Sequence, residues 1–74
     1  MNNPIFALDS PTRAIKARHL LVKSKIEARI VKLDEKGKGC THGVQVKEEN
    51  MMSAVAVLRS GGIRYTLRYE NDLS

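Results

Sequence analysis

Cysteine occurs once, tryptophan is missing, and the aromatic side chains are limited to Phe6, Tyr65 and Tyr69. With a single thiol, Cys40, the chain can form no intramolecular disulfide and no multi-cysteine zinc site. Long apolar runs are also lacking. The longest, Ala54 to Leu58, falls far short of the ~18 residues that span a bilayer, which excludes a membrane helix. The start, Met1-Asn2-Asn3-Pro4, has neither the basic residues nor the apolar run of a signal peptide, so a soluble, cytoplasmic protein is expected. Carboxylate pairs, a catalytic triad and a phosphate loop are absent too. Gly37-Lys38-Gly39-Cys40-Thr41 lacks the G-x-x-x-x-G-K-S/T spacing. No enzyme with its own turnover and no cofactor is expected.

What is present suits a small globular domain. The chain has 74 residues, 42% of them hydrophobic and spread along its length. A chain this short buries only about 60% of its unfolded surface, so one domain with one thin core is expected over 5–69, with a flexible tail beyond. Lysine and arginine outnumber aspartate and glutamate by 13 to 8, a net charge of +5. That balance favours acidic partners, although so small a surplus also serves solubility.

Ile5 to Leu8 reads as a short buried strand. Asp9-Ser10-Pro11 is a helix start, with Ser10 as cap and Pro11 at the first helical position. The helix should run to about Ser24 with Ala14, Ala17 and Leu21 on its inner face and Arg18 intruding on the apolar arc. Ile26 to Ile30 alternates apolar and charged residues, as a half-exposed strand does, and the charges from Lys32 to Lys38 mark an exposed connection. Val44 to Lys47 resumes the alternation. Glu48-Glu49-Asn50 then places acidic groups and an Asn cap before a second helix, whose inner stripe is Met51, Ala54, Val55 and Leu58 and which Gly61-Gly62 ends. In the last strand Ile63, Tyr65, Leu67 and Tyr69 face one way, and Arg64, Thr66 and Arg68 the other.

The two halves resemble each other. A shift of 37 positions lays Ile63 on Ile26, Leu58 on Leu21, Ala54 on Ala17 and Leu67 on Ile30 (63 minus 26 gives the shift). Two β-α-β units of this size predict a ferredoxin-like two-layer α+β sandwich, βαββαβ, with both helices on one face of an antiparallel sheet. Should the short first strand fail to pair, a three-stranded βαββα sheet or one completed by a dimer is the alternative.

Chemistry concentrates between the halves, in Gly37-Lys38-Gly39-Cys40-Thr41-His42-Gly43. A thiol attacks as its thiolate, and a free cysteine with pKa ~8.5 is mostly protonated at neutral pH. Lys36, Lys38 and His42 stand close enough in sequence to stabilise the anion, with His42 as orienting or proton-handling group and glycines letting the loop swing. The plainer reading weighs more on spacing alone: a lone cysteine beside a strand often behaves as a small buried hydrophobe. Cys40, His42 and His19 match no metal-ligand spacing, so no metal is expected.

With these pieces in place the chain resembles the small bacterial family of selenium/sulfur carrier-like proteins. The likeness lies in Ala14-Ile15-Lys16-Ala17 and Leu20-Leu21 of the first helix, and in Ile26, Arg29, Ile30 and Val31 of the strand. It continues in Cys40 shortly before a Gly-apolar strand, and in Gly62-Ile63 after the second helix, covering about Ile5 to Tyr69. The resemblance implies a carrier that holds sulfur or selenium on Cys40 and meets a donor and an acceptor protein.

A second function class stays open beside it, a non-catalytic binding or regulatory module. Arg29, Gln45, Lys47, Arg64, Thr66 and Arg68 would point away from the helices and make a basic sheet face for a protein, a small anion or a second copy of the chain. Tyr65 and Tyr69 fall on the opposite, apolar side, so the face lacks a stacking platform and specific nucleic-acid binding is not expected.

Overall fold

Ser10 marks where an extended backbone turns into a helix. Its φ and ψ are −155° and 154°, and its Oγ accepts the Arg13 N–H at 3.2 Å, satisfying one of the donors left unpaired at a helix start. The computed structural model describes residues 3–33 and 42–69. Within them the order is β1 (Pro4–Leu8), α1 (Pro11–Lys23), β2 (Ala28–Lys32), β3 (His42–Val46), a 3-10 turn (Glu48–Asn50), α2 (Met51–Ser60) and β4 (Thr66–Tyr69). The predicted tail from Asn71 to Ser74 lies outside the described residues.

The four strands form one antiparallel sheet in the order β2-β3-β1-β4. The first strand does pair, on both sides: Phe6 stands opposite Val44 of β3 and Leu67 of β4. β1 lies between β3 and β4, and all five of its residues are buried, Phe6 and Leu8 in the main core and Ile5 and Ala7 in a smaller cluster on the other face.

One face of the sheet carries the main core. Phe6, Leu8, Ala28, Val44 and Val46 meet Ala14, Ala17 and Leu21 of α1 and Ala54 and Leu58 of α2. The helices turn alanines toward the strands, and short side chains allow close approach. Tyr65 packs its ring edge-on against Phe6, with centroids 4.8 Å apart at 89°, the geometry that the ring quadrupoles favour. Tyr69 donates its hydroxyl to Met51 Sδ at 3.5 Å, so both tyrosines lie on the helix side, as the alternation predicts. Arg18 is exposed and so stays out of the core.

Several boundaries differ from the sequence reading. β2 begins two residues late because Ile26 closes α1: its N–H donates to the Leu21 carbonyl at 2.9 Å while Lys25, at φ 65°, donates to Val22 at 2.9 Å. Two bonds of this kind around a left-handed residue make a Schellman cap. β2 also extends to Lys32, and Leu33 beyond it is buried where an exposed connection was expected. β3 starts earlier, at His42. Asn50 makes no side-chain cap bond; a 3-10 turn leads into α2 instead. Ile63 to Tyr65 precede β4 and do not belong to it. No helix among the described residues is long and apolar enough to cross a membrane.

Candidate functional site

The face of the sheet turned from the helices is where the polar residues gather, and the register fixes its layout. Side chains alternate along each strand, and residues paired across strands share a face. Arg29 pairs with Gln45, Gln45 with Ile5, and Ile5 with Arg68, so these four form one row across all four strands. Three strand spacings separate the backbones of Arg29 and Arg68, about 14 Å. Val31, Gly43, Ala7 and Thr66 form the next row.

The middle of this face is apolar. Ile5, Ala7 and Leu33 form a second, smaller core with Val31 packed on it. Gly43 belongs to it for a steric reason: a Cβ built there would lie 2.7 Å from Ile5 Cγ2 and 3.2 Å from the Phe6 carbonyl oxygen. This corrects its expected part as a loop hinge. It is a buried strand residue whose missing side chain lets Ile5 and Leu33 close over the sheet.

Polar groups surround that centre. Arg29 is exposed near the β2 edge, Gln45 is half-buried, and Lys47 just after β3 is exposed with its Nζ 3.3 Å from Glu27 Oε2. Arg64 and Thr66 are exposed, and Arg68 is half-buried. Thus Arg29, Gln45 and Arg68 fall on one row of this face, with Arg29 and Arg68 on opposite edge strands, Lys47 and Thr66 at the sides and Arg64 just ahead of β4. Sequence reasoning missed Asn3 and Glu27. Asn3 Oδ1 accepts the Glu48 N–H at 3.3 Å, a bond across 45 positions that no local pattern announces.

Of the candidate thiol site, Lys36, Lys38 and Cys40 lie outside the described residues. His42 was expected in the loop and instead opens β3, half-buried and paired with Leu8 on one side and Lys32 on the other. That pairing puts it on the helix side of the sheet, away from Arg29 and Arg68. No group of three or more His, Cys, Asp or Glu among the described residues could hold a metal ion.

No family model, no curated protein and no solved structure matches the chain.

Proposed function

We propose that the chain is a non-catalytic binding module, built as a ferredoxin-like sandwich, that takes anionic or acidic partners on the open face of its sheet. The element order and the strand order, β4-β1-β3-β2 when read from the other edge with every neighbouring pair antiparallel, support that fold. The row Arg29–Gln45–Ile5–Arg68 carries the functional reading. With Lys47 and Arg64 it gives four cations; Glu27 pairs with Lys47, and Glu48 and Glu49 lie at the end of the face beside Asn3 and Lys47. A surface of one sign attracts the other and speeds its encounter. Pairing the face with its own copy would oppose like charges, so an acidic partner fits better than a homodimer through the sheet.

A titration with tetraglutamate followed by NMR tests this. Binding should weaken with salt and fall at least tenfold in the Arg29→Glu/Arg64→Glu variant, both sites being exposed and the fold unaffected. Absence of binding, or binding that survives the double substitution, would count against the module.

The carrier reading stays a second proposal, favoured by the residues that flank the segment holding Cys40. Lys32 and His42, the last pair of the β2–β3 ladder, flank that segment in sequence and are a cation and an imidazole. In this scheme the Cys40 thiolate attacks the outer sulfur of a donor persulfide. The new S–S bond forms as the donor's breaks, and the donor leaves as its thiolate. Incubation with a cysteine desulfurase and cysteine should add the mass of sulfur to the wild type and not to Cys40→Ser; a folded wild type that gains none sinks the scheme.

A further inference from the structure

At one end of the open face lies a depression lined by Asn3, Glu27, Arg29, Gln45 and Lys47. Its volume of about 240 Å³ is below the roughly 300–1,000 Å³ of sites for drug-sized ligands. We infer that this depression is a binding site for the carboxylate of a small organic acid, held by Arg29 with the carboxamides of Gln45 and Asn3. The inference rests on reading the open face as an anion-binding surface and names the ligand at one part of it.

Three observations select a carboxylate. The first is donor geometry. Arg29 presents a planar fork of N–H groups that matches two carboxylate oxygens, and Gln45 stands directly opposite it in the β2–β3 ladder. The second is the orientation of Asn3. Its oxygen accepts the Glu48 N–H, and its NH2 group is the part of Asn3 that can donate to an anion. The third is charge. Arg29 and Lys47 contribute two positive charges and Glu27 one negative, a net of one, which a monoanion neutralises. A phosphate dianion would leave excess negative charge beside Glu27. Lys47, 3.3 Å from that carboxylate, balances it and leaves Arg29 as the cation directed to the ligand.

The test uses the whole protein labelled with 15N, titrated at constant ionic strength with propionate, with inorganic phosphate and with tetraglutamate. Propionate should give saturable shifts in the side-chain amides of Gln45 and Asn3 and in the Arg29 Nε–H. Arg29→Gln should abolish them. Arg29→Lys, which keeps the charge and loses the fork, should weaken binding about tenfold, the equivalent of about 1.4 kcal/mol. No saturable shift with propionate overturns the site, as do shifts unchanged in Arg29→Gln or phosphate binding more tightly at the same groups. Tetraglutamate separates this failure from that of the wider reading. If it shifts Arg64 and Arg68 while propionate shifts nothing, the carboxylate site is wrong and the basic face stands; if neither binds, both are wrong. Propionate displacing tetraglutamate from Gln45 and Asn3 would support the site and identify a protein carboxylate as a competing source of its ligand.

Discussion

Lys25 and Gly62 hold the same left-handed backbone, φ 65° and 69°, one residue past the caps of the two helices. They are 37 positions apart, the shift that superposes the two halves of the sequence. The hydrogen bonds repeat with them. Ile26 donates to Leu21 at 2.9 Å and Ile63 to Leu58 at 3.0 Å; Lys25 donates to Val22 at 2.9 Å and Gly62 to Arg59 at 3.1 Å. Each cap drops its isoleucine into the main core.

Only one of the two positions has the residue that suits it. A side chain at positive φ costs about 1 kcal/mol that glycine avoids. Lys25→Gly should therefore stabilise the fold by about 0.5–1 kcal/mol, part of the gain being lost to the looser unfolded chain. Gly62→Ala should destabilise by about 1 kcal/mol through the backbone alone, because a Cβ there meets nothing within 4 Å. Urea denaturation of the two variants checks both signs; a destabilised Lys25→Gly would refute the account.

Gly43 constrains the opposite face. An alanine there must push aside Ile5 Cγ2 and crowd the Phe6 carbonyl, and overpacking of this kind costs about 1–3 kcal/mol. Ile5→Ala should cost about 2–5 kcal/mol by itself. The Gly43→Ala/Ile5→Ala double variant should be more stable than the sum of the two losses predicts, since removing Cγ2 clears the 2.7 Å clash. Strict additivity in denaturant melts would show that the two residues do not meet.

The order of the elements, the α1 cap and the inner stripes of both helices were readable because each has a local cause: a capping serine, a proline at the first turn, alanines and leucines at helical spacing. The side on which the tyrosines lie followed from simple alternation. What escaped the sequence was set by contacts between distant segments. Ile26 looked like the first residue of a strand because Lys25, unlike Gly62, gives no sign of a left-handed cap. Gly43 looked like a hinge because nothing near it in sequence shows that Ile5 lies over it. The depression on the open face joins Asn3 to residues 24 and more positions away, and no spacing rule brings those together.

Phe6 is the test of the main core. It is fully buried, pairs with Val44 and Leu67, and takes the edge of Tyr65. Phe6→Ala should cost about 3–5 kcal/mol, a large share of what a domain of this size possesses. Phe6→Leu keeps most of the volume and loses the ring contact, so about 1–2 kcal/mol is expected. Thermal unfolding followed by circular dichroism ranks the two. Equal losses would mean that the Tyr65 edge, and not the filling of space, decides the packing.

Glu27 separates stability from binding. Its ion pair with Lys47 is exposed on both sides, with 76% of the Glu27 side chain and 58% of the Lys47 side chain accessible, and such pairs contribute about 0–1 kcal/mol. Glu27→Gln should therefore leave the melting temperature nearly unchanged. Its effect on the open face should be larger, because it removes the carboxylate paired with Lys47 and releases Lys47 to meet a ligand. Affinity for tetraglutamate is expected to rise about three- to tenfold at low salt, and the gain should shrink as salt shortens the reach of the charges to about 10 Å at 0.1 M and 3 Å at 1 M. If Glu27→Gln leaves tetraglutamate affinity unchanged at low salt, the Glu27 carboxylate does not oppose an acidic ligand on this face and the charge argument there fails.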